Sequence, residues 1–400
     1  MARMPVLLIT ILLSGMGFGL ILPGFPFVAE KLGVPHWAGP MVLGLYAIGQ
    51  FIATPFWGRY SDRYGRRPLL IGSIAGGLVG HLICAFAPNP WVLASGRLLT
   101  GLMGGNIPVA MAYAADISLP EERARTLGRV GAFLSLGFIV GPVVGGLLGG
   151  ADAASATLLW PGLAAASVCL IAIIGAFFFL KESLPPEKRA IARQGGDATD
   201  GISAFRQVVQ RPVLGQLLAV GFLAYLAMAA FETNFPFWAG DRFGWGPREI
   251  GLSFTYLAVL VVTAQGLLVG PLVKRFGEKR LLIAGLTSYI VGLLVMTQSL
   301  FWGVMLFGIT FTTLGSALYM TTMNSLVSKQ AADSERGLVI GTFNTASWLG
   351  RALGPGMIAL LGVAGLSRDA PLFAAALLIL PCIAIIRSLR SRAAGVAPAS

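Results

Sequence analysis

The chain has 400 residues, of which 56% are hydrophobic and only 12% charged, and its mean hydropathy is +0.79. A water-soluble domain carries roughly 25% charged residues, so there is too little charge here to cover a globular surface and most of the chain faces lipid. The net charge of +12 does not signal nucleic acid, because the basic residues sit in short clusters between long apolar runs.

A helix needs about 20 apolar residues to cross the hydrocarbon layer. The apolar runs predict twelve spans, at roughly 5–28, 39–58, 69–88, 91–115, 127–149, 156–180, 213–238, 249–273, 281–299, 301–327, 338–362 and 370–388. The first has no small-residue cleavage site and many spans follow it, so it reads as a retained helix rather than a removable signal. With both termini in the cytoplasm, Lys and Arg divide 23 to 4 between the inner and outer loops, as positive-inside insertion requires. Cys84, Cys169 and Cys382 lie inside apolar runs without paired spacing and read as small core residues, with no disulfide or metal site.

The longest polar stretch, 181–211, has the composition of a cytoplasmic linker and leaves six spans on either side. GRYSDRYGRRPLL at 58–70 and GPLVKRFGEKRLL at 270–282 share Gly, Arg, Gly, Leu and Leu at an offset of 212. Glu122-Arg123 matches Glu335-Arg336, and Gly141-Pro142 matches Gly354-Pro355, both at an offset of 213. Three ordered anchors at nearly one offset predict two related six-helix halves, 1–180 and 212–388, with a cytoplasmic tail at 389–400.

In chain order, the first strong motif is Gly58, Asp62, Arg63, Gly65, Arg66 and Arg67, in the tight inner turn between spans two and three. Glycines let such a turn close, and Asp62 can pair with the arginines or cap a helix N-terminus, which makes a specific gate of what is otherwise a topogenic basic loop. Gly137, Gly141, Gly145 and Gly149 recur every four residues, making a flat stripe to which a neighbouring helix can come close, and Pro142 beside it bends the axis. Charge within a span costs about 2.5–3.5 kcal/mol and by default marks a site. Glu232 is the only acid clearly inside a span. It reads either as a proton-exchanging, cation-attracting carboxyl or as an outer-end residue that reaches water or pairs with Arg242 or Arg248. His81 offers a titrating group or a packed neutral one, and Arg351 a partner for an anion or a structural arginine. Tyr46, Gln50, Asn106, Tyr113, Tyr225, Asn234, Tyr256, Gln265, Tyr319, Asn324, Asn344 and Trp348 are the polar and aromatic groups expected to line a large, partly apolar substrate cavity, some of them bridging helices instead.

These motifs resemble those of the major facilitator superfamily. G-x-x-x-D-R-x-G-R-R is similar to its signature loop, and 270–282 looks like the degenerate second copy. Arg97 in LASGRLLTGLMGG resembles the fourth-helix motif arginine, and Gly137-x-x-x-Gly141-Pro142-x-x-Gly145-Gly146 the fifth-helix motif of the drug:proton antiporter branch. GMGFGLILPGFPF and FPFWAGDRFGWGPREIGLS are similar to segments of tetracycline exporters. The resemblance spans nearly the whole chain. It implies an all-α integral membrane fold of twelve helices and a bacterial inner-membrane location. It also implies a role for Arg97 in proton coupling, against its alternative as a structural arginine tied to carbonyls of span one. Tetracycline exporters carry acids in the first, third and ninth spans, whereas this chain has Ser14 and Gly80 at the first two and no acid in the ninth. Coupling through those carboxylates is excluded, which argues against tetracycline itself and leaves Glu232 with Arg97 as the coupling pair.

The expectation is a monomeric proton-coupled antiporter that exports hydrophobic or amphipathic molecules by alternating access, with the loops at 58–68 and 270–280 locking the inner side. A sugar or metabolite exporter, a proton symporter and a non-transporting membrane sensor are the competitors. No H-E-x-x-H, G-x-S-x-G or G-x-x-x-x-G-K-[ST] occurs, so neither an enzyme nor a bound cofactor is expected, and a proton gradient is the energy source.

Overall fold

The computed structural model describes residues 3–187, 189–190, 206–331 and 335–389. Among them are twelve helices long and apolar enough to cross a bilayer, and no strand. They are α1 (Met4–Ile21), α2 (Gly39–Tyr64), α3 (Arg66–Ala85), α4 (Pro90–Asp116), α5 (Arg125–Leu148) and α6 (Leu159–Phe179), then α7 (Pro212–Phe243), α8 (Pro247–Phe276), α9 (Glu278–Thr297), α10 (Trp302–Lys329), α11 (Arg336–Val363) and α12 (Ala370–Ser388). Helices answer the demand of a solvent that bonds no backbone group, since each N–H and C=O finds its partner within the segment.

Several ends differ from the sequence expectation, each for a local reason. α1 stops at Ile21 rather than near 28, because a turn containing Pro23 and Gly24 intervenes before a short helix, Phe25–Lys31. α2 runs on to Tyr64, so most of the motif expected as a turn is helical and Gly65 alone makes the reversal into α3. α4 is interrupted at Gly105–Asn106, ahead of Pro108, and α8 contains wider π-type turns at Ala264–Leu268.

Contacts gather the described residues into two compact units. The first draws on the described residues within 1–200, 229–259 and 351–371, the second on those within 201–228, 260–350 and 372–400. In the first, α1 packs on α5 and α6, α2 on α4, and α3 on α4 and α6. Leu7, Ile11, Leu70, Val109, Tyr113 and Val130 fill its interior. In the second, α9 packs along α10. Leu170, Ile171, Phe177 and Phe178 lie exposed on α6, as lipid-facing side chains do, and Trp91, Trp160 and Trp302 stand exposed in the first turns of α4, α6 and α10, where interfacial tryptophans sit. Most of the expected linker at 181–211 and tail at 389–400 lies outside the described residues.

Candidate functional site

Glu232 on α7 and Arg351 on α11 form a two-point ion pair within the first unit. Arg351 Nη2 lies 2.7 Å from Glu232 Oε2 and Nη1 3.4 Å from Oε1, with side chains 26% and 40% exposed. The partners suggested by the sequence, Arg242 and Arg248, do not take this role. Ten residues along a helix is about 15 Å, so Arg242 is out of reach of Glu232, and it pairs with Asp369 at 3.5 Å instead. Pairing is what allows two charges to sit at span depth.

Arg97 is built differently. It is 1% exposed on α4, and its Nη2 donates to the Leu43 carbonyl of α2 at 3.0 Å. Its guanidinium lies over the rings of Tyr46, Phe18 and Phe25 at 5.3, 5.6 and 5.7 Å. The carbonyl it binds belongs to the second span, not the first. Aromatic faces supply part of the solvation that a carboxylate supplies to Arg351. Arg97 is thus held by a backbone carbonyl and ring faces, while Glu232 is held by Arg351. His81 is packed rather than open, 5% exposed, with Nε2 against Gly17 of α1.

The glycine motif of α5 divides its work between two neighbours. Gly137, Gly141 and Gly145 take the backbone of α1 so closely that a Cβ at any of them would collide with a carbonyl of Leu12, Met16 or Leu20. Gly146 instead faces α8, where a Cβ would stand 2.8 Å from the Pro247 carbonyl and 2.9 Å from Gly251 Cα. Pro142 cannot hydrogen-bond its nitrogen, and its carbonyl lies where a Cβ on Gly251 would come within 2.7 Å. On α2, Gly44 leaves room for the ring of Pro355 on α11. At this end of the first unit, α5 meets α8 at backbone distance, and the backbone of α2 meets the Pro355 ring of α11.

The signature motif forms a clamp at the other end of α2. Arg66 Nη2 pairs with Asp62 at 2.7 Å, its Nε with Asp116 of α4 at 3.4 Å, and its Nη1 donates to Ser61 Oγ at 2.5 Å. Asp62 does not cap α3. Glu182, just past α6, does so, accepting from the backbone N–H of Arg66 at 2.9 Å and of Arg67 at 3.2 Å. Gly65 makes this possible, since its φ of +111° disfavours side chains and a Cβ would strike the Glu182 carboxylate. Arg67 Nη2 donates to the Phe177 carbonyl at 2.5 Å. Glu182 was not singled out in the sequence because a carboxylate 116 residues from its target leaves no local pattern. By contrast Gly58 is helical and its Cβ position is open.

The polar residues expected to line a cavity fall into groups. Gln50 Nε2 donates to the Gly104 carbonyl at 3.1 Å, Asn106 Nδ2 to Ser73 Oγ at 2.6 Å, and Tyr113 OH to the Lys181 carbonyl at 2.6 Å, so these buried groups bridge helices. Tyr225 meets the buried Tyr319 edge-on at 6.3 Å. Tyr256, Gln265, Asn324 and Asn344 are exposed, Gln265 within the π-type turns. Trp348 is half-buried, and buried Asn234 binds the Arg368 carbonyl at 3.0 Å.

Where tetracycline exporters carry acids, this chain has no place for one at Gly80, because a Cβ would lie 2.6 Å from Thr100 Cγ2 and 3.0 Å from its nitrogen. Ser14 spends its hydroxyl on the Thr10 carbonyl one turn back, at 2.9 Å.

Comparison with known proteins agrees with this architecture. The family model described as Major Facilitator Superfamily matches residues 7–355 and 217–399. Tetracycline resistance protein, class C, of Escherichia coli is 32% identical over 355 residues, which cover 88% of this chain and 87% of that protein. Multidrug resistance protein 2 of Bacillus subtilis (strain 168) is 29% identical over 354 residues, covering 88% and 86%. Among solved structures, the human organic anion transporter MFSD10 (TETRAN) superposes with a TM-score of 0.70 at 23% identity, covering 96% of this chain and 99% of that one.

Proposed function

The chain belongs to the major facilitator superfamily, in the neighbourhood of its drug:proton antiporters, and from that premise we propose that it exports cationic or polar amphipathic molecules in exchange for protons by alternating access. It is a multi-pass membrane transporter and not an enzyme. The observation that carries the proposal is the half-exposed Glu232 carboxylate, held at span depth by Arg351.

For movements to be opposed, substrate and proton must compete for one group. A cation or hydrogen-bond donor on the substrate competes with a proton for ionised Glu232, and with Arg351 for its oxygens. Substrate binding from the cytoplasm then favours the deprotonated carboxyl, and outer protons reload it after release. An anion drawn to Arg351 would do the reverse, binding best when Glu232 is protonated, which is the logic of symport. Substrate charge therefore discriminates the two modes. Arg97, sealed among rings, positions α1, α2 and α4 around this centre rather than meeting substrate. The proton gradient is the energy source, both termini face the cytoplasm, the six-helix halves 1–180 and 212–388 rock about the pair, and the working unit in the bilayer is the monomer.

Liposomes holding the purified protein, an imposed pH gradient and an internal pH dye test this. Lipophilic cations, tetracyclines, neutral antibiotics and sugars are added in turn, with Glu232→Gln beside the native protein. The expected result is proton flux triggered by cationic amphipaths and lost in Glu232→Gln. Unchanged flux in the variant removes the coupling role, proton entry alongside an anion establishes symport, and binding without flux indicates a sensor.

A further inference from the structure

A second charged cluster lies at the end of α7, outside the coupling centre. Asp241 Oδ2, in the last turn of α7, accepts from Arg368 Nε at 3.1 Å and lies 3.3 Å from His36 Nε2. Arg368, between α11 and α12, also donates through Nη2 to the His36 carbonyl at 2.8 Å and stacks over Phe237 at 5.1 Å. Asn234 holds the Arg368 carbonyl at 3.0 Å, and Trp238 Nε1 donates to Asp369 at 2.7 Å. These groups tie α7 to the α11–α12 connection, and His36 brings in the segment between the short helix Phe25–Lys31 and α2.

The charged groups around His36 are Asp241, Arg368 and, on the short helix, Glu30, which line one cleft with it. Lys31 turns away to the carbonyls of Ala154 and Ala156, and Arg242 to Asp369. The chain has two histidines, and the other, His81, is buried. His36, with a side chain 63% exposed, meets the surrounding medium directly. A histidine–carboxylate ion pair exists only while the imidazole carries a proton, and imidazoles ordinarily titrate near pH 6.5.

We infer that His36 and Asp241, steadied by Arg368, form a proton-dependent latch that favours the closed arrangement of this end of the molecule, in which α2 meets α11 and α5 meets α8. The latch rests on the alternating-access reading. Because the pair is made only in the closed arrangement, protonation of His36 favours closure. That contribution is present while His36 carries a proton and is lost when the imidazole is neutral. With this end outside the cell, an acidic medium holds the transporter in its outward-closed form and slows outward opening.

The three native cysteines are buried, so spin labels on Ala153→Cys and Ala364→Cys, both exposed loop positions at this end, report on its opening. Distances are measured by double electron–electron resonance in liposomes at pH 5.5 and 8.0, with Glu232 native and as Gln so that the coupling carboxyl is separated out. The closed-to-open ratio is expected to rise about two- to fivefold on acidification, the range of an exposed ion pair. His36→Gln removes that rise, and His36→Lys keeps the ratio high at both pH values. Two populations with the same pH response in native and His36→Gln protein overturn the latch alone. A single distance at every pH, with or without a transported cation, overturns alternating access together with it.

Discussion

Lys329 donates to Glu278 at 2.8 Å, joining the end of α10 to the start of α9. Arg66 and Asp116 join the end of α4 to the start of α3 in the same manner, with the charges exchanged. Glu278 and Lys329 follow Arg66 and Asp116 by 212 and 213 residues, the offsets at which the sequence repeats. A further correspondence accompanies it. Lys279 reaches the Leu389 carbonyl as Arg67 reaches that of Phe177, each 212 residues apart. The polarity of the fastener is thus free, while its attachment points are not. Glu278→Lys alone is expected to lower the melting temperature and transport, and Glu278→Lys with Lys329→Glu to recover most of both. Thermal unfolding in detergent and flux in liposomes measure this, and an additive double variant would contradict it. The recovered coupling should be about 0.5–1 kcal/mol, as for a partly exposed pair.

The Glu182 cap predicts a second effect. Glu182→Gln weakens two charge-assisted bonds to the first turn of α3 and should cost about 1 kcal/mol. Gly65→Ala should cost more, because it meets both the positive φ and the Glu182 carboxylate. Faster tryptic cleavage after Arg66 than in the native protein is the readout.

Close approach of α5 and α8 at Gly146 and Gly251 yields a third prediction. Gly146→Val places a branched side chain where backbones touch, so this end cannot close. Substrate binding should persist while turnover falls at least about tenfold, the effect of a barrier raised by about 1.4 kcal/mol. A cysteine in the α5–α6 loop should become more reactive. Native turnover would show that this contact is not part of the cycle.

The Arg211–Glu335 pair gives a pH dependence outside the membrane. Two hydrogen bonds from the Arg211 guanidinium, at 2.6 and 3.0 Å, hold the Glu335 carboxyl below its ordinary value. A depressed folded-state value gives stability that is present above the unfolded value and is lost as pH falls through the folded one. Glu335→Gln should therefore melt below the native protein at pH 7, and the gap should narrow as pH falls. High salt should shrink the difference at pH 7, since both side chains are about two-fifths exposed.

Span number, charge asymmetry and the repeat were all legible in the sequence, because a bilayer imposes length and hydropathy on every crossing segment independently of its neighbours. The local pairing within 58–67 was legible too, since Asp62 and Arg66 pair, and Gly65 turns, within a few residues of chain. What the sequence could not assign were partners. Glu232 finds Arg351 across 119 residues, Glu182 caps α3 across 116, and His36 meets Asp241 at the end of α7 and Arg368 in the α11–α12 connection. No periodicity records such pairs. Nor could composition separate Gln50, Asn106 and Tyr113, which spend their polar atoms bridging helices, from Tyr256 and Gln265, which remain exposed. Local solvent decides that a segment is a helix in lipid, whereas only the packing of one helix against another decides which charge each side chain neutralises.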